Sequence, residues 1–437
     1  MKMNDMVIIS TDDHICEPPT MFDRQLSGEL LASAPKFKSD RNGKNYWYYQ
    51  GNIRPSVGLN AVVGRPFDEY GMEPTAIEQL RKGCYDVHAR IDDMDVNGIA
   101  ASMCFGNSIG FDGQTFHKAP DKKLALRHLQ AWNDWHYDEW CMAYPGRFIP
   151  LSILPTWDIP ATVAEIGRMA KKGVRTVSMN ENPTVQGLPS IHNSYWDPVY
   201  KAVVDNGMTI ALHIGSGNPA PHPSSETPIE AWITFMPMSV ALGVSDWLQL
   251  KALHDYPELR IVISEGSMGW VPYFMERADF SNWRHKAWTH SRFQQLKPSE
   301  LLKRHFVHCF LHDPHGLKSL DEIGEDNVTY EVDYPHSDAL WPDAPEHLWA
   351  QIKHLPDATI DKVTHGNAIR TFKHDSLFKH YQREQLTVGA LRAKAKAKGV
   401  DTSPKSSGGA KPLAVDRPVT SGDIMEMMKK QADARAA

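Results

Sequence analysis

Cysteine is scarce and unpaired in this sequence. Five residues, Cys16, Cys84, Cys104, Cys141 and Cys309, lie scattered through 437 positions with no CxxC pair. That excludes a disulfide framework or a cysteine-rich zinc site and points to a reducing cytoplasm. An excess of one charge is also missing. With 47 basic against 53 acidic side chains, the formal net charge is −6, which excludes a nucleic-acid binder built on a basic surface. Long hydrophobic runs are absent as well. The best membrane candidate, Phe235 to Leu248, is too short to span a bilayer and is broken by Pro237 and Asp246. The opening segment, MKMNDMVIIS, has neither the long apolar stretch nor the small-residue cleavage site of a signal peptide. What remains is 41% hydrophobic and 23% charged, ordinary for a soluble globular protein and long enough to bury a sizeable core.

Short β-branched runs alternate with longer helical patterns. Strands are expected near 7–11, 99–105, 148–153, 174–178, 209–213, 260–264, 306–309 and 328–332. Helices are expected near 86–96, 122–144, 160–172, 198–206, 240–254, 271–286 and 315–323, with two more, 344–354 and 361–372, after the last strand. Several strands are near-continuous apolar runs, as expected when helices cover a parallel sheet. The pattern predicts an α/β protein, a (β/α)₈ TIM barrel. A doubly wound open sheet is the alternative, but no Gly-rich phosphate loop follows an early strand. The barrel is expected over residues 1–383, interrupted at about 23–71 by an insertion. Within it, Tyr46-Trp47-Tyr48-Tyr49 before Gly51 and Asn52 predicts an aromatic hairpin after strand one. Residues 384–437 read as a C-terminal extension, a linker with a short helical tail.

Four constellations fall at predicted strand ends. Asp12 and His14 are two apart on the first strand, so their side chains can converge on one ion; Glu17 follows, suited to orienting a ligand or binding substrate. His213 ends an apolar run before Gly215 and Gly217. Glu265 closes another, where burial can tune it for proton transfer. Asp333 ends the eighth strand and can bind metal or accept a proton, with His336 just beyond placed to contact substrate. Taken singly, a lone histidine is more often packing and a lone Asp a turn former. Taken together, five such residues at the ends of strands one, five, six and eight favour a metal site.

This ordered set resembles the amidohydrolase superfamily, in particular its amidohydrolase-related branch with aminocarboxymuconate-semialdehyde and γ-resorcylate decarboxylases. The resemblance runs from about residue 7 to 375. It includes Tyr85-Asp86-Val87-His88-Ala89-Arg90-Ile91-Asp92-Asp93-Met94-Asp95, Trp132-Asn133-Asp134-Trp135, Leu188-Pro189-Ser190, Trp196-Asp197-Pro198, Val332-Asp333-Tyr334-Pro335-His336 and Gly366-Asn367-Ala368. It implies that Asp12, His14, His213 and Asp333 hold one divalent metal, Zn²⁺ or Mn²⁺, while Glu265 and Asp333 act in catalysis. Two departures stand out: Asp12 leads where many relatives have His-x-His, and Glu265-Gly266-Ser267 replaces a His-Gly-Gly acid/base. No lysine lies in the fourth strand, against a carboxylated-lysine bridge between two metals.

The resemblance implies non-oxidative decarboxylation of an aromatic or unsaturated carboxylic acid. The alternative is a mononuclear metal-dependent hydrolase of an amide, lactone or activated C–C bond; a degenerate barrel that binds a small molecule without turnover is a third. Glu17, Trp270 and His336 are the expected substrate contacts. Arg54, Arg175 and His88 are candidates to neutralise a substrate acid, and Tyr46, Trp47 and Trp341 to meet an aromatic ring. The expected partners are a small-molecule substrate and a second copy of the chain in a homodimer, with neither nucleic acid nor membrane.

Overall fold

The computed structural model describes residues 1–218, 221–293, 295–409 and 415–436, the last six of these by their backbone alone. Among the described residues there are twelve strands: β1 (Ile9–Ile15), β2 (Lys36–Ser39), β3 (Asn45–Tyr49), β4 (Asn52–Arg54), β5 (Ala101–Gly106), β6 (Phe148–Ile149), β7 (Leu151–Ile153), β8 (Thr176–Met179), β9 (Thr209–His213), β10 (Arg260–Ser264), β11 (Phe306–Phe310) and β12 (Val328–Tyr330). Nine of them form two all-parallel sheets, β1-β5-β6 and β7-β8-β9-β10-β11-β12. The sheets abut twice. Only Pro150, which has no N–H to donate, separates β6 from β7. Past β12, Asp333 N–H donates to the Asp12 carbonyl at 2.9 Å and His14 N–H to the Tyr334 carbonyl at 2.7 Å, so the last strand's exit runs beside the first.

Helices return the chain between parallel strands, and their ends are written locally. The helix Ile159–Lys172 starts at Asp158, whose carboxylate accepts from the Ala161 N–H. It stops at Gly173, where φ is 105° and a side chain would be strained. Asp121 caps Lys122–Trp135 in the same way. The expected helix at 122–144 ends earlier, at Trp135, and continues as a wider π turn over His136–Trp140. The one expected at 240–254 begins at Ile229 and breaks into Ile229–Trp247 and Lys251–Asp255. The first strand lies a few residues later than expected, because its end, Asp13 to Ile15, is itself paired with β5 beyond an irregularity that takes in Thr11 and Asp12. Among the described residues, no helix is long and apolar enough to cross a membrane.

Between β1 and β5, β2-β3-β4 form an antiparallel sheet. Gln50 and Gly51, both at positive φ, make the two-residue turn between β3 and β4. Asn45, Trp47 and Tyr49 face inward, and the Tyr49 hydroxyl meets His128 Nδ1 at 2.7 Å on the helix Lys122–Trp135.

Beyond residue 383 the chain does not start as a linker. Val388–Lys398 is a helix that buries Val388, Leu391 and Ala395, and its Lys394 pairs with the buried Asp95 at 2.6 Å. Alternating Ala and Lys looks like spacer composition, yet every third or fourth residue is apolar and meets the helix Val87–Val96. The chain then runs over the insertion, with Lys405 N–H donating to the Gly64 carbonyl. It reaches the 224–229 loop, where Ser421 N–H donates to the Thr227 carbonyl.

Two predictions follow from this packing. Leu391→Ala should cost about 2–5 kcal/mol of unfolding free energy, the usual range for a buried leucine; chemical denaturation checks it, and a change near zero would mean that the helix is not docked. His308, fully buried on β11 with no partner for either ring nitrogen, is pushed down to about 4 by burial. A histidine held neutral in the fold contributes stability above its unfolded value, about 6.5, and loses it as pH falls toward 4. Over that window the wild type should lose up to about 3 kcal/mol relative to His308→Phe. Parallel stability curves for the two proteins would refute this.

Candidate metal centre

The carboxyl ends of the parallel strands bring the predicted residues together. Asp12 and His14 point the same way from β1, His213 is the last residue of β9, Glu265 follows β10, and Asp333 lies just past β12. His14 Nε2 stands 3.6 Å from an Asp12 oxygen, 3.3 Å from Asp333 Oδ1 and 3.0 Å from Glu265 Oε1. His213 Nε2 is 3.5 Å from the other Asp12 oxygen, 3.2 Å from Glu265 Oε1 and 3.4 Å from His14 Nε2. Two overlapping donor sets result, Asp12-His14-His213-Glu265 and His14-Glu265-Asp333-His336, each with its ligand atoms within 4.8 Å of one another.

The backbone makes this convergence at a cost. Glu265, Ser267 and Asp333 all adopt positive φ, near 50–58°. Such conformations cost roughly 1–3 kcal/mol each and need surroundings that enforce them. Glu265 N–H donates to Glu331 at 3.1 Å. Asp313 accepts from the Met268 and Gly269 N–H groups at 2.8 and 2.6 Å, fixing the turn after Glu265. Arg90, wholly buried, donates to the His14 carbonyl and lies 4.2 Å over the Tyr334 ring.

Electrostatics leave the cluster short of positive charge. Burial, then the charges of Glu265 and neighbouring carboxylates, raises Asp12, Glu331 and Asp333 well above the ordinary carboxylate range. Burial, then His336, pushes His14 down, so it stays neutral. Burial acts against Glu265 too, but the charge of His213 and hydrogen bonds from His14, His213 and His336 prevail and hold it low and ionised. Both Asp12 oxygens and Asp333 Oδ1 are buried without a hydrogen-bond partner. These features fit a cation. Donors about 2.0–2.2 Å from a tetrahedral ion stand roughly 3.3–3.6 Å apart, close to the separations seen here.

The other expected contacts divide. His336 joins the cluster: its Nδ1 is 2.8 Å from Asp333 Oδ1, and its ring lies 3.9 Å from that of His14. Glu17 does not. Its oxygens accept from the Ser108 N–H at 2.7 Å and the Trp132 indole at 3.2 Å, so it anchors the turn after β5. Trp270 also stays outside, its indole N–H donating to the Gly266 carbonyl at 2.9 Å and bracing the Glu265 turn. Arg175 donates to the Ala170 and Val174 carbonyls, and His88 meets the Tyr144 hydroxyl at the surface. Trp47 and Trp341 are core residues. Arg54 is half-buried and lines a cavity of about 180 Å³ with Trp47, Tyr49, Ser108, Ile109 and Lys118. Phe111, unanticipated, stacks 3.9 Å from His213.

The amidohydrolase family model matches residues 109–373. No curated protein sequence matches the chain. Among solved structures, an amidohydrolase from Mycobacterium avium subsp. paratuberculosis K-10 is similar, with TM-score 0.63 and 18% identity over 84% of this chain and 99% of that one. So is 5-carboxyvanillate decarboxylase from Sphingomonas paucimobilis, with TM-score 0.57 and 18% identity over 84% and 99%. A third is a dihydroxybenzoic acid decarboxylase from Polaromonas sp. JS666 holding manganese and 2-nitroresorcinol, with TM-score 0.58 and 18% identity over 84% and 97%. At these identities the likeness is one of fold.

A cation in this cluster should stabilise the fold. At a free Mn²⁺ or Zn²⁺ concentration about 100 times its dissociation constant, the gain should be about 2.7 kcal/mol. Thermal unfolding of chelator-treated protein with and without the ion checks it, and an unmoved midpoint would count against a metal site.

Proposed function

The chain belongs to the amidohydrolase family, and from that premise we propose that it is a metal-dependent enzyme removing CO₂ non-oxidatively from an aromatic or unsaturated carboxylic acid. The observations carrying this reading are the convergence of Asp12, His14 and His213 with Glu265, and of Asp333 with His14, Glu265 and His336, with both Asp12 oxygens and Asp333 Oδ1 unpartnered, at the strand ends of a fold similar to aromatic-acid decarboxylases. The joins between β6 and β7 and between β1 and the exit of β12 support the eight-stranded (β/α)₈ barrel as the scaffold.

In this reading Asp12, His14, His213 and Asp333 hold one divalent ion, Zn²⁺ or Mn²⁺. Bound there, such an ion supplies positive charge against the substrate carboxylate and against the negative charge that builds as the carbon–carboxyl bond breaks. Arg54, half-buried at its cavity, pairs with an anionic group of the substrate, and Phe111 shields His213 from water. Glu265, ionised at rest, takes up a proton from an acidic group of the substrate and delivers it to the carbon that carries the carboxylate. The bond to CO₂ then breaks, and the new C–H bond replaces it. Asp333, whose Oδ1 stands 2.8 Å from His336 Nδ1, is the second carboxylate within reach of the proton.

That same Asp333–His336 pair, 2.8 Å apart, favours one other reading. An acid–base pair beside a cation can also activate water against an amide or lactone. Screening the metal-loaded protein against aromatic carboxylic acids and against cyclic amides and lactones separates the two: CO₂ release supports decarboxylation, and ring opening without CO₂ supports hydrolysis.

Two substitutions test the assigned roles. His213→Ala should abolish metal retention and turnover while the circular dichroism spectrum persists; a full complement of metal would remove His213 from the ligand set. Glu265→Gln should keep the metal and slow turnover by roughly 10² or more, the scale of positioned acid–base catalysis. Loss of the metal in that variant would make Glu265 a ligand instead.

A further inference from the structure

Past the helix Val388–Lys398 the chain is held differently. That helix docks through Val388, Leu391 and Ala395 and stops at Gly399, where φ is 68°. Beyond it, no hydrophobic side chain among the described residues is buried. Backbone contacts take over. Lys405 N–H donates to the Gly64 carbonyl at 2.9 Å. Gly409 passes so close to the insertion that a Cβ there would lie 2.8 Å from the Glu73 carbonyl oxygen and 3.0 Å from that of Met72. Further on, Thr420 and Pro228 pair as antiparallel neighbours. Ile229 N–H donates to the Val419 carbonyl, and the Ser421 and Gly422 N–H groups donate to the Thr227 and Ser225 carbonyls, each at 2.8 Å. The helix Ser421–Ala436 then lies against β4 and the helix Ile229–Trp247.

Both anchorages sit on connections that leave the metal centre. The insertion holding Gly64, Met72 and Glu73 follows β1, which carries Asp12 and His14; the segment holding Ser225 and Thr227 follows β9, which ends at His213. Connections that leave the carboxyl ends of parallel strands lie on one face. The insertion anchorage also reaches inward. Glu73 accepts from the Ser56 hydroxyl at 2.8 Å and the Asn60 N–H at 2.9 Å, and the Asn60 amide donates at 2.6 Å to the hydroxyl of Ser337, next to His336.

We propose that residues 400–409 and 415–430 form a strap across the face of the metal centre, from the insertion to the segment after His213, and that its release controls entry and exit there. The proposal rests on that centre being the working site. A segment held by a few backbone hydrogen bonds, with no buried apolar side chain, opens far more readily than the core. Gly399 serves as its hinge, and the docked helix before it as the anchor. Opening therefore requires neither unfolding of the parallel sheets nor displacement of the donor residues.

Two variants of the full chain test this, with Mn²⁺ as the probe. Pro228→Cys with Thr420→Cys puts thiols at a pair flanked by hydrogen bonds but not joined by them, where Cα atoms stand about 4.5 Å apart, within disulfide reach. Oxidised, this tether should slow Mn²⁺ release to a chelator by roughly tenfold or more, and reduction should restore the wild-type rate. Gly422→Val drives a side chain at the Ser225 carbonyl, 2.8 Å from the Cβ position. It should speed release by roughly tenfold or more with an unchanged thermal midpoint. Release indifferent to both changes would overturn the proposal. Hydrogen exchange of the wild type needs neither metal nor variant: the Ser421 and Gly422 amides should exchange at least roughly tenfold faster than that of Leu391. Should the protein hold no Mn²⁺, the metal-centre reading fails and exchange alone judges the strap, as it does if neither variant folds. Faster exchange at Ser421 and Gly422 then supports it, and protection equal to that of Leu391 overturns it.

Discussion

Carboxyl groups drawn into one buried place are the constraint around which this structure is organised. Asp12, Glu265, Glu331 and Asp333 share the space at the strand ends, and His14 there is neutral. Carboxylates gathered without a counter-charge work against folding. Arg90 is the nearby buried cation, but its guanidinium is committed to carbonyls of Gly83 and His14 and to the Tyr334 ring. It steadies the backbone of the ligands without entering their midst. The charge deficit is therefore specific to the point where the imidazole nitrogens converge.

Around that point lies a set of holding contacts. Three left-handed non-glycine residues would relax if nothing opposed them, and each is opposed by a nearby bond. Glu331 holds the Glu265 N–H, Asp313 holds the turn beyond Ser267, and the Asp12 carbonyl holds the Asp333 N–H. Glu17 and Trp270, which sequence places beside the substrate, belong to this supporting layer. Polar residues at strand ends thus fall into two groups that sequence alone does not separate: those facing the cavity and those bonded to the chain that shapes it.

How far the sequence could be read follows from where each signal resides. The strands were legible because apolar runs such as Thr209–His213 and Arg260–Ser264 end at a polar residue that stops the run. The donors were legible because they are those terminal residues. Glu331 was within reach, since it is the polar residue that directly follows the last strand at Tyr330, two before Asp333. Phe111 and Arg90 were not. Their roles depend on stacking against His213 and on a bond to the His14 carbonyl, contacts over 102 and 76 positions that no local pattern encodes. The helix Val388–Lys398 was obscured for another reason: its Ala and Lys residues are as suited to a solvated spacer as to a docked face, and the partner surface on Val87–Val96 decides between them.

The bond from Asp333 to Asp12 joins residues 321 positions apart. A nascent chain leaving the ribosome, extended at about 5–20 residues per second, therefore carries its first two donors for many seconds before the last one exists. During that interval the edge of β1 that later meets Asp333 and Tyr334 has no mate within the chain. Assembly of the centre therefore waits for the exit of the last strand, and translation products that stop before Asp333 lack an essential corner of it.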